Sequence, residues 1–483
     1  MTDPASPSLT VAEIITATGG TLLQGNPGTS IRGISTDTRT IKPGNLFIPL
    51  MGPNFSGHDF LAKAVTDGAR AFLSAKSYRS CIPELPPDIA HVEVIDTLQA
   101  LGDIAHAWRM RFHCRVIAIT GSAGKTTTKE MMGAICTQGH NILKTAGNLN
   151  NLVGLPHTLF GLKDVIDLAV LELGTNSPGE IARLAYMAAP DIGIITNVGP
   201  AHLEGLGSVE AVREEKGSLW QVMDHRGVAV FNLDDPQIVI LKKRWRGEYI
   251  TCSLTGPADV TAETIRPIKA GKSAFTLNIQ DQKEKIILSS PGRHNVGNAL
   301  LAAGSALAAG FNSEEIARGL HAFRSVPGRM EIETLPNGAH LIHDAYNANP
   351  LSVGEALKTL SELSGAGRRI MVFGDMLELG DQAAAYHEEI GRKIGKLDIY
   401  ALFLKGDFSR VTAKAAEASG LDRNHIFFFD GKAKAIPALR ENVSQGDWIL
   451  LKGSRKMNLD ELIPEIRKFG KGSMTNIEPL NGD

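Results

Sequence analysis

Chemistry-bearing residues concentrate first in AITGSAGKTTTKE, residues 118–130. An apolar run enters a glycine turn there and leaves through Lys125, Thr126 and Thr127. The usual phosphate-loop spacing is G-x-x-x-x-G-K-[ST]. Gly124-Lys125-Thr126 fits it, but Ile119 stands at the first glycine position and Gly121 opens a shortened G-x-x-G-K-T turn. Backbone N–H groups across Gly121, Ser122, Ala123, Gly124 and the helix start would meet phosphate oxygens, with Lys125 as the compensating cation. The Thr126 hydroxyl is a hard oxygen donor suited to Mg²⁺. Motors, switches, kinases and ligases all use such loops, so the loop alone leaves the fate of the phosphate open.

Two further groups close neighbouring apolar runs. Glu172 lies in VLELGTNSPGE (170–180), and Asn197 and His202 lie in TNVGPAHLEGLGS (196–208). Ligands of open α/β sheets gather at the C-terminal edge of the strands. Taken singly, Glu172 reads as a capped surface acid and His202 as a loop histidine; beside a phosphate loop on one sheet they become metal-compatible groups. Lys216, in VREEKGSLW (212–220), falls on a helical stretch, where lysines are ordinarily solvated. A free ammonium would repel Mg²⁺, whereas a lysine carbamylated by CO₂ is an anion able to bridge to a metal. Sequence leaves both forms open.

These residues need a sheet to position them. RVIAIT (115–120), DLAVLEL (167–173), DIGIITNV (191–198) and GVAVFNL (227–233) are near-continuous apolar runs separated by helical stretches, the pattern of strands buried on both faces of a parallel sheet. Alternation in SAFTLNIQ (273–280) predicts a small antiparallel patch covering that sheet. FRSVPGRME (323–331) reads as a hinge. Beyond it RRIMVFGD (368–375), IYALFLKG (399–406), HIFFFD (425–430) and DWILLKGS (447–454) predict a second doubly wound α/β domain. The first region has strand-like LFIPL (46–50) and RAFLSA (70–75), a helix in HDFLAKAVTDGA (58–69), and a loop in CIPELPPDIAH (81–91). The expectation is an α/β chain of three domains: a small N-terminal α/β domain over 1–95, a central phosphate-loop domain over 96–327 and a C-terminal Rossmann-like domain over 328–483.

Bulk properties narrow the class. With 483 residues, 43% hydrophobic and 21% charged, the chain has ordinary globular composition. A net charge of −2 gives no argument for nucleic acid or an anionic membrane. Cys81, Cys114, Cys136 and Cys252 show no metal spacing and read as reduced packing residues. MTDPASPSLTVAEIITATGG lacks the basic and apolar regions of a secretory signal. NALLAAGSALAAGF (298–311) is shorter than the roughly 20 residues a membrane span needs and suits a helix packed tightly on a sheet. A cytoplasmic protein without membrane insertion is expected.

Several segments together resemble the Mur ligases, the ATP-dependent amide-bond ligases of bacterial cell-wall precursor synthesis: TGSAGKTTTKE, GNLNNLVGLP (147–156), LELGTN (171–176), NVGPAHLEGLGS and PGRHNVGNALLAA (291–303). The shortened loop is that family's own form, and the likeness covers nearly the whole chain. STDTRTIKPGNLFIPLMGPNFSGHDF (35–60), HDAYNANPLS (343–352), VFGDMLELG (372–380) and LLKGSRKMNLDELI (450–463) resemble the member that joins D-alanyl-D-alanine to UDP-N-acetylmuramoyl-tripeptide. The D-N-P-R box of the member adding the third stem residue does not occur in the sequence. That enzyme and the related folylpolyglutamate synthases are the alternatives within the wider family.

The resemblance implies roles. Lys125, Thr126 and Thr127 would hold ATP phosphates, with two Mg²⁺ ions on Thr126, Glu172, His202 and a carbamylated Lys216. Lys216 lies fourteen residues after His202, a spacing similar to the family's. His294, Asn295 and Asn298 resemble the adenine-side motif; Arg329 and Asp344 would reach the phosphates and ribose. Ser35, Asp37, Thr38 and Arg39 match the region receiving the UDP end, although such a stretch is by itself an Asp/Thr-rich turn. Tyr346, Asn347 and Asn349 fall on the dipeptide side. The expected partners are these small substrates, for a monomeric enzyme with either diaminopimelate or lysine as third stem residue.

Overall fold

The computed structural model describes residues 7–470 apart from positions 53, 83, 85, 270, 365 and 366. It shows an α/β chain built on three main sheets, one for each domain.

The central sheet forms where the apolar runs predicted it. Arg115–Thr120 lies between Leu168–Glu172 and Ile192–Ile195, followed outward by Val228–Asn232 and Glu248–Ser253, all parallel. Successive side chains of one strand face opposite layers, so an apolar run without alternation buries both. Ile117 and Ile119 pack toward the helices Lys125–Cys136, Arg293–Ala308 and Ser313–Ala322. Val116 and Ala118 face the layer of Thr97–Arg109, Glu180–Ala188 and Val209–Val222. The predicted antiparallel patch is present, but its position differs. Val260–Ile268, Lys272–Ile279 and Gln282–Leu288 continue the edge of the same nine-stranded sheet through two parallel pairs, Cys252–Val260 and Ser253–Thr261. Their apolar face, including Phe275, Leu277 and Ile286, packs with the helices carrying Val296, Leu300 and Ile316. Alternation reports a half-buried strand; it cannot say which layer supplies the other half.

In the N-terminal domain the sheet order is Thr21–Gln24, Ala90–Val94, Ala71–Ala75, Leu46–Phe47, Ile34–Ser35, with the first pair antiparallel and the rest parallel. The helix expected over 58–69 is shorter, a 3₁₀ turn Gly57–Phe60 followed by Leu61–Thr66. The end of the expected 81–91 loop is already strand, Ala90–Val94, whose polar His91 is buried against the Ser74 hydroxyl at 2.7 Å. In the C-terminal domain the order is Glu331–Thr334, His340–Asp344, Trp448–Lys452, Arg369–Gly374, Ile399–Lys405, Ile426–Phe428, parallel except for the first pair. Cys114, Cys136 and Cys252 are unpaired and buried; the side chain of Cys81 lies outside the described residues. No described helix is long and apolar enough to cross a membrane.

Candidate functional site

The phosphate loop joins Arg115–Thr120 to the helix Lys125–Cys136. Gly121 and Gly124 take φ of 148° and 81°. A Cβ on Gly121 would stand 1.9 Å from the Thr196 hydroxyl, and one on Gly124 would stand 2.4 Å from the Asn298 amide oxygen. Both glycines are therefore required by backbone and by space. The Ala123 N–H donates to the Asn197 side-chain oxygen at 2.8 Å, and the Ser122 hydroxyl donates to the Gly199 carbonyl at 2.9 Å. The strand end at Asn197 thus fixes the loop it faces. Lys125 turns back to donate to the Gly121 carbonyl at 2.7 Å. Burial pushes its ammonium down; Glu172 opposes this and Arg329 adds to it.

Glu172 ends its strand at the bottom of the same cleft, 3% exposed. Its carboxylate accepts from the Thr126 hydroxyl and from the Asn150 amide, each at 2.9 Å. The Lys129 ammonium stands 3.7 Å away and donates to the Thr145 carbonyl at 2.8 Å. Sequence reasoning did not single out Lys129, although it lies one helical turn after Lys125, the i,i+4 spacing that returns a side chain to one face. Thr126 and Glu172 bring oxygen donors together beside the loop, which fits a hard divalent cation. Among the described residues no three acidic, histidine or cysteine side chains are grouped so as to hold a metal ion; a hydroxyl and a modified lysine would have to complete the expected set. Lys216 is 1% exposed on the helix Val209–Val222, not solvated. Burial, and then the charge of Lys125, hold its ammonium well below the ordinary range, with Glu215 opposing.

A cleft of about 1120 Å³ between the central and C-terminal domains collects Lys125, Thr126, Asn150 and Glu172, whereas Lys129 and Lys216 are buried and do not line it. His202 lines it, and its Nδ1 meets the Glu378 carboxylate of the C-terminal domain at 2.7 Å. That bond, assisted by the charges of Lys456 and Lys125, holds Glu378 below the usual carboxylate range against the effect of burial. His294, Asn295 and Asn298 lie at the start of Arg293–Ala308. Asn295 donates to the Ser290 hydroxyl and to the Pro291 carbonyl at 2.8 Å each, and Asn298 donates to Asn295 at 3.1 Å. His294 Nδ1 is buried without a hydrogen-bond partner, and burial lowers the imidazole. Arg329 stacks over the Tyr346 ring at 4.2 Å, and Arg455 approaches the same ring at 5.2 Å. Asp344 is paired with Lys452 at 2.7 Å and accepts from the Met330 N–H at 3.1 Å. The Asn347 carbonyl accepts from Lys452 at 2.9 Å. Asn349 caps the helix Pro350–Ser364 through the Ser352 N–H at 2.9 Å, and its amide donates across the cleft to the Ser122 carbonyl at 3.0 Å.

Ser35, Asp37, Thr38 and Arg39 do not line this cleft. They form a turn of their own: Ser35 donates to the Asp37 carbonyl at 2.8 Å, and the Asp37 carboxylate accepts from the Arg39 N–H at 2.9 Å. The Arg39 guanidinium beside Asp37 brings that carboxyl to about 2. Neighbouring Thr36 touches His157 of the central domain at 3.1 Å. Glu378 and Lys452 were not anticipated as site residues. Both lie in segments whose pattern was noted, but their contacts depend on how two domains meet.

Known proteins share this architecture. Residues 119–306 match the Mur ligase middle domain, 328–455 the Mur ligase glutamate ligase domain, and 30–109 the Mur ligase family catalytic domain. The UDP-N-acetylmuramoyl-tripeptide–D-alanyl-D-alanine ligase of Bacillus subtilis is 35% identical over 460 residues, covering 95% of this chain and 98% of that one. The Escherichia coli ligase of the same name is 34% identical, covering 91% and 95%. The crystal structure of MurF from Acinetobacter baumannii superposes with a TM-score of 0.86 at 30% identity, over 96% of this chain and 100% of that one. MurF ligase from Thermotoga maritima in complex with ADP gives 0.80 at 25% identity, over 90% and 97%.

Proposed function

The chain belongs to the Mur ligase family, and on that premise we propose that it joins D-alanyl-D-alanine to UDP-N-acetylmuramoyl-tripeptide at the expense of ATP. The product is the pentapeptide precursor of peptidoglycan. The observation that carries this reading is one cleft with Lys125, Thr126 and Glu172 on its floor and a second α/β domain across its mouth.

Amide formation in water needs an activated carboxyl. The terminal carboxylate of the tripeptide attacks the γ-phosphorus of ATP in line, the bond to the bridging oxygen breaks, and an acyl phosphate and ADP result. Anionic groups converge in that step. Lys125 and the N–H groups of Gly121, Gly124, Thr126 and Thr127 offset their charge and hold them in register, while those of Ser122 and Ala123 are taken by Asn197 and shape the loop instead. The free amine of the dipeptide then attacks the acyl carbon; phosphate leaves with the C–O electron pair and takes up the proton that the amine gives up. Water would destroy the acyl phosphate, so the C-terminal domain closes before chemistry.

Thr126, Glu172, His202 and a carbamylated Lys216 would hold two Mg²⁺ ions, which when bound supply positive charge beside the phosphate oxygens. Burial favours the neutral amine of Lys216, the form that adds to CO₂. His294, Asn295 and Asn298 take the adenine side, and Arg329 and Asp344 reach the phosphates and ribose, with Asp344 exchanging its Lys452 partner on nucleotide binding. Ser35, Asp37, Thr38 and Arg39 receive the UDP end; Tyr346 and Asn347 face the dipeptide, while the Asn349 side chain is taken up by the Ser352 N–H and the Ser122 carbonyl. The domains divide near 95 and 327, and the enzyme works as a cytoplasmic monomer, a state that one chain contributing all three domains supports.

The test is phosphate release from ATP with purified UDP-muramoyl-tripeptide, in diaminopimelate and lysine forms, with and without D-alanyl-D-alanine. Release that needs both substrates is expected. Release independent of the dipeptide would make the chain a nucleotide hydrolase and overturn the reading.

A further inference from the structure

The contact between His202 and Glu378 is built from both sides. Each residue is a non-glycine held in the left-handed backbone region, with φ of 55° and 64°. Side chains adopt that region rarely and at a cost, and it persists where surrounding structure enforces it, often at functional sites. The two segments dock through more than this pair. The Glu204 N–H donates to the Glu378 carbonyl at 3.0 Å, and the Gln382 amide donates to the Gly207 carbonyl at 3.2 Å. Gly380, with φ of 55°, packs close to the Glu204 backbone, where a Cβ would stand 3.3 Å from the Glu204 Cα.

The Glu378 loop is braced from behind. The Leu377 N–H donates to the Ser454 hydroxyl at 2.8 Å, and the Met376 N–H donates to His387 Nε2 at 3.0 Å. Asp375 accepts the Asp407 N–H at 2.7 Å. A rigid strand end of the C-terminal domain thus presents one carboxylate to one ring nitrogen of the central domain.

We propose that Glu378 is a positioning residue of the ligase, whose carboxylate takes the Nδ1–H of His202 when the C-terminal domain closes and so fixes Nε2 as the free nitrogen in the cleft. The proposal rests on the ligase reading for its consequence and on the contact geometry for its mechanism. A carboxylate accepts and cannot donate, so Nδ1 carries the hydrogen and the ring is locked in rotation as well as tautomer. Outer partners of this kind matter at about 10- to 100-fold in ligand affinity or activity. Because the two groups come from different domains, His202 is oriented only in the closed arrangement. Carboxyl activation is thereby tied to closure, and an open enzyme is kept from spending ATP on water.

Glu378→Gln and Glu378→Ala test this, with a thermal melt to confirm folding. The first readout is steady-state kinetics. The expected result is a kcat lowered about 10- to 100-fold with the KM for UDP-muramoyl-tripeptide unchanged, and partial recovery in Glu378→Asp. The second is ¹⁵N NMR of the His202 imidazole in the nucleotide-bound protein, which does not depend on turnover. The wild type should show a single Nδ1–H form and Glu378→Ala a mixture of tautomers. Wild-type kcat in Glu378→Ala, or an unchanged His202 signature, overturns the proposal. A wild-type chain that ligates no tripeptide fails the functional reading instead, and the tautomer result still decides the pairing.

Discussion

Lys125 and Lys216 are amino groups placed where positive charge is disfavoured. Lys125→Met should lower kcat by at least about 10²–10³, the size of losing one preorganised donor. The apo protein should melt no lower, because a half-buried cation whose charge its surroundings disfavour has been removed, while nucleotide no longer raises Tm. A ligand at 100 times its Kd adds about 2.7 kcal/mol to the wild type, so the missing shift is readable. Lys216 gives a pH test. Its folded value lies well below the ordinary 10.5, so between the two values the unfolded chain binds the extra proton. Stability at this site therefore rises with pH across that window, and Lys216→Met should flatten that part of the slope in CO₂-free melts. Lys216→Ala should also lose ligation and regain part of it with short carboxylic acids that stand in for the proposed carbamate. Residue types and spacing made Gly121, Gly124, Glu172 and His202 legible before any fold was known, because each stands at a strand end or loop with a chemical reason to be there. Glu378 carried no such signal, since its meaning comes from a neighbour 176 residues away in sequence.

At the scale of elements, the helix Arg293–Ala308 shows why packing matters to chemistry. Its first turn carries His294, Asn295 and Asn298, and its body lies against the sheet at Gly304, where a Cβ would meet the Cys252 sulfur at 2.7 Å. Gly304→Val should push the helix outward. The expected cost is about 1–3 kcal/mol of stability, the range for overpacking, with a raised KM for ATP because the amide of Asn298 moves away from Gly124. Chemical denaturation and ATP titration check the two effects separately. The Ala- and Gly-rich run predicted close packing, and the parallel strands were readable because burial on both faces writes an unbroken apolar word. The short N-terminal strands were less readable. Ala90–Val94 does alternate, apolar at Ala90, Val92 and Val94 and polar at His91 and Glu93, but it follows directly on a Pro-rich stretch that obscures where the strand begins.

Across the whole molecule, the proposed mechanism makes activity depend on how often the cleft is closed. Asn349 has two tasks that can be separated. Its Oδ1 caps the helix Pro350–Ser364, and its Nδ2 reaches the Ser122 carbonyl of the phosphate loop. Asn349→Ala loses both, with about 1 kcal/mol for the cap alone. Serine is as good a cap but too short to cross the cleft and has no amide to donate. Asn349→Ser should therefore keep the wild-type Tm while losing one hydrogen bond that exists in the closed arrangement. A net value of about 0.5–1.5 kcal/mol for such a bond lowers the closed population, and kcat with it, by about two- to twelvefold. Small-angle scattering in the presence of ATP analogue should show a larger radius of gyration than the wild type. An unchanged kcat with an unchanged radius would mean that Asn349 serves the helix alone and that closure is held by the Glu378 loop without it.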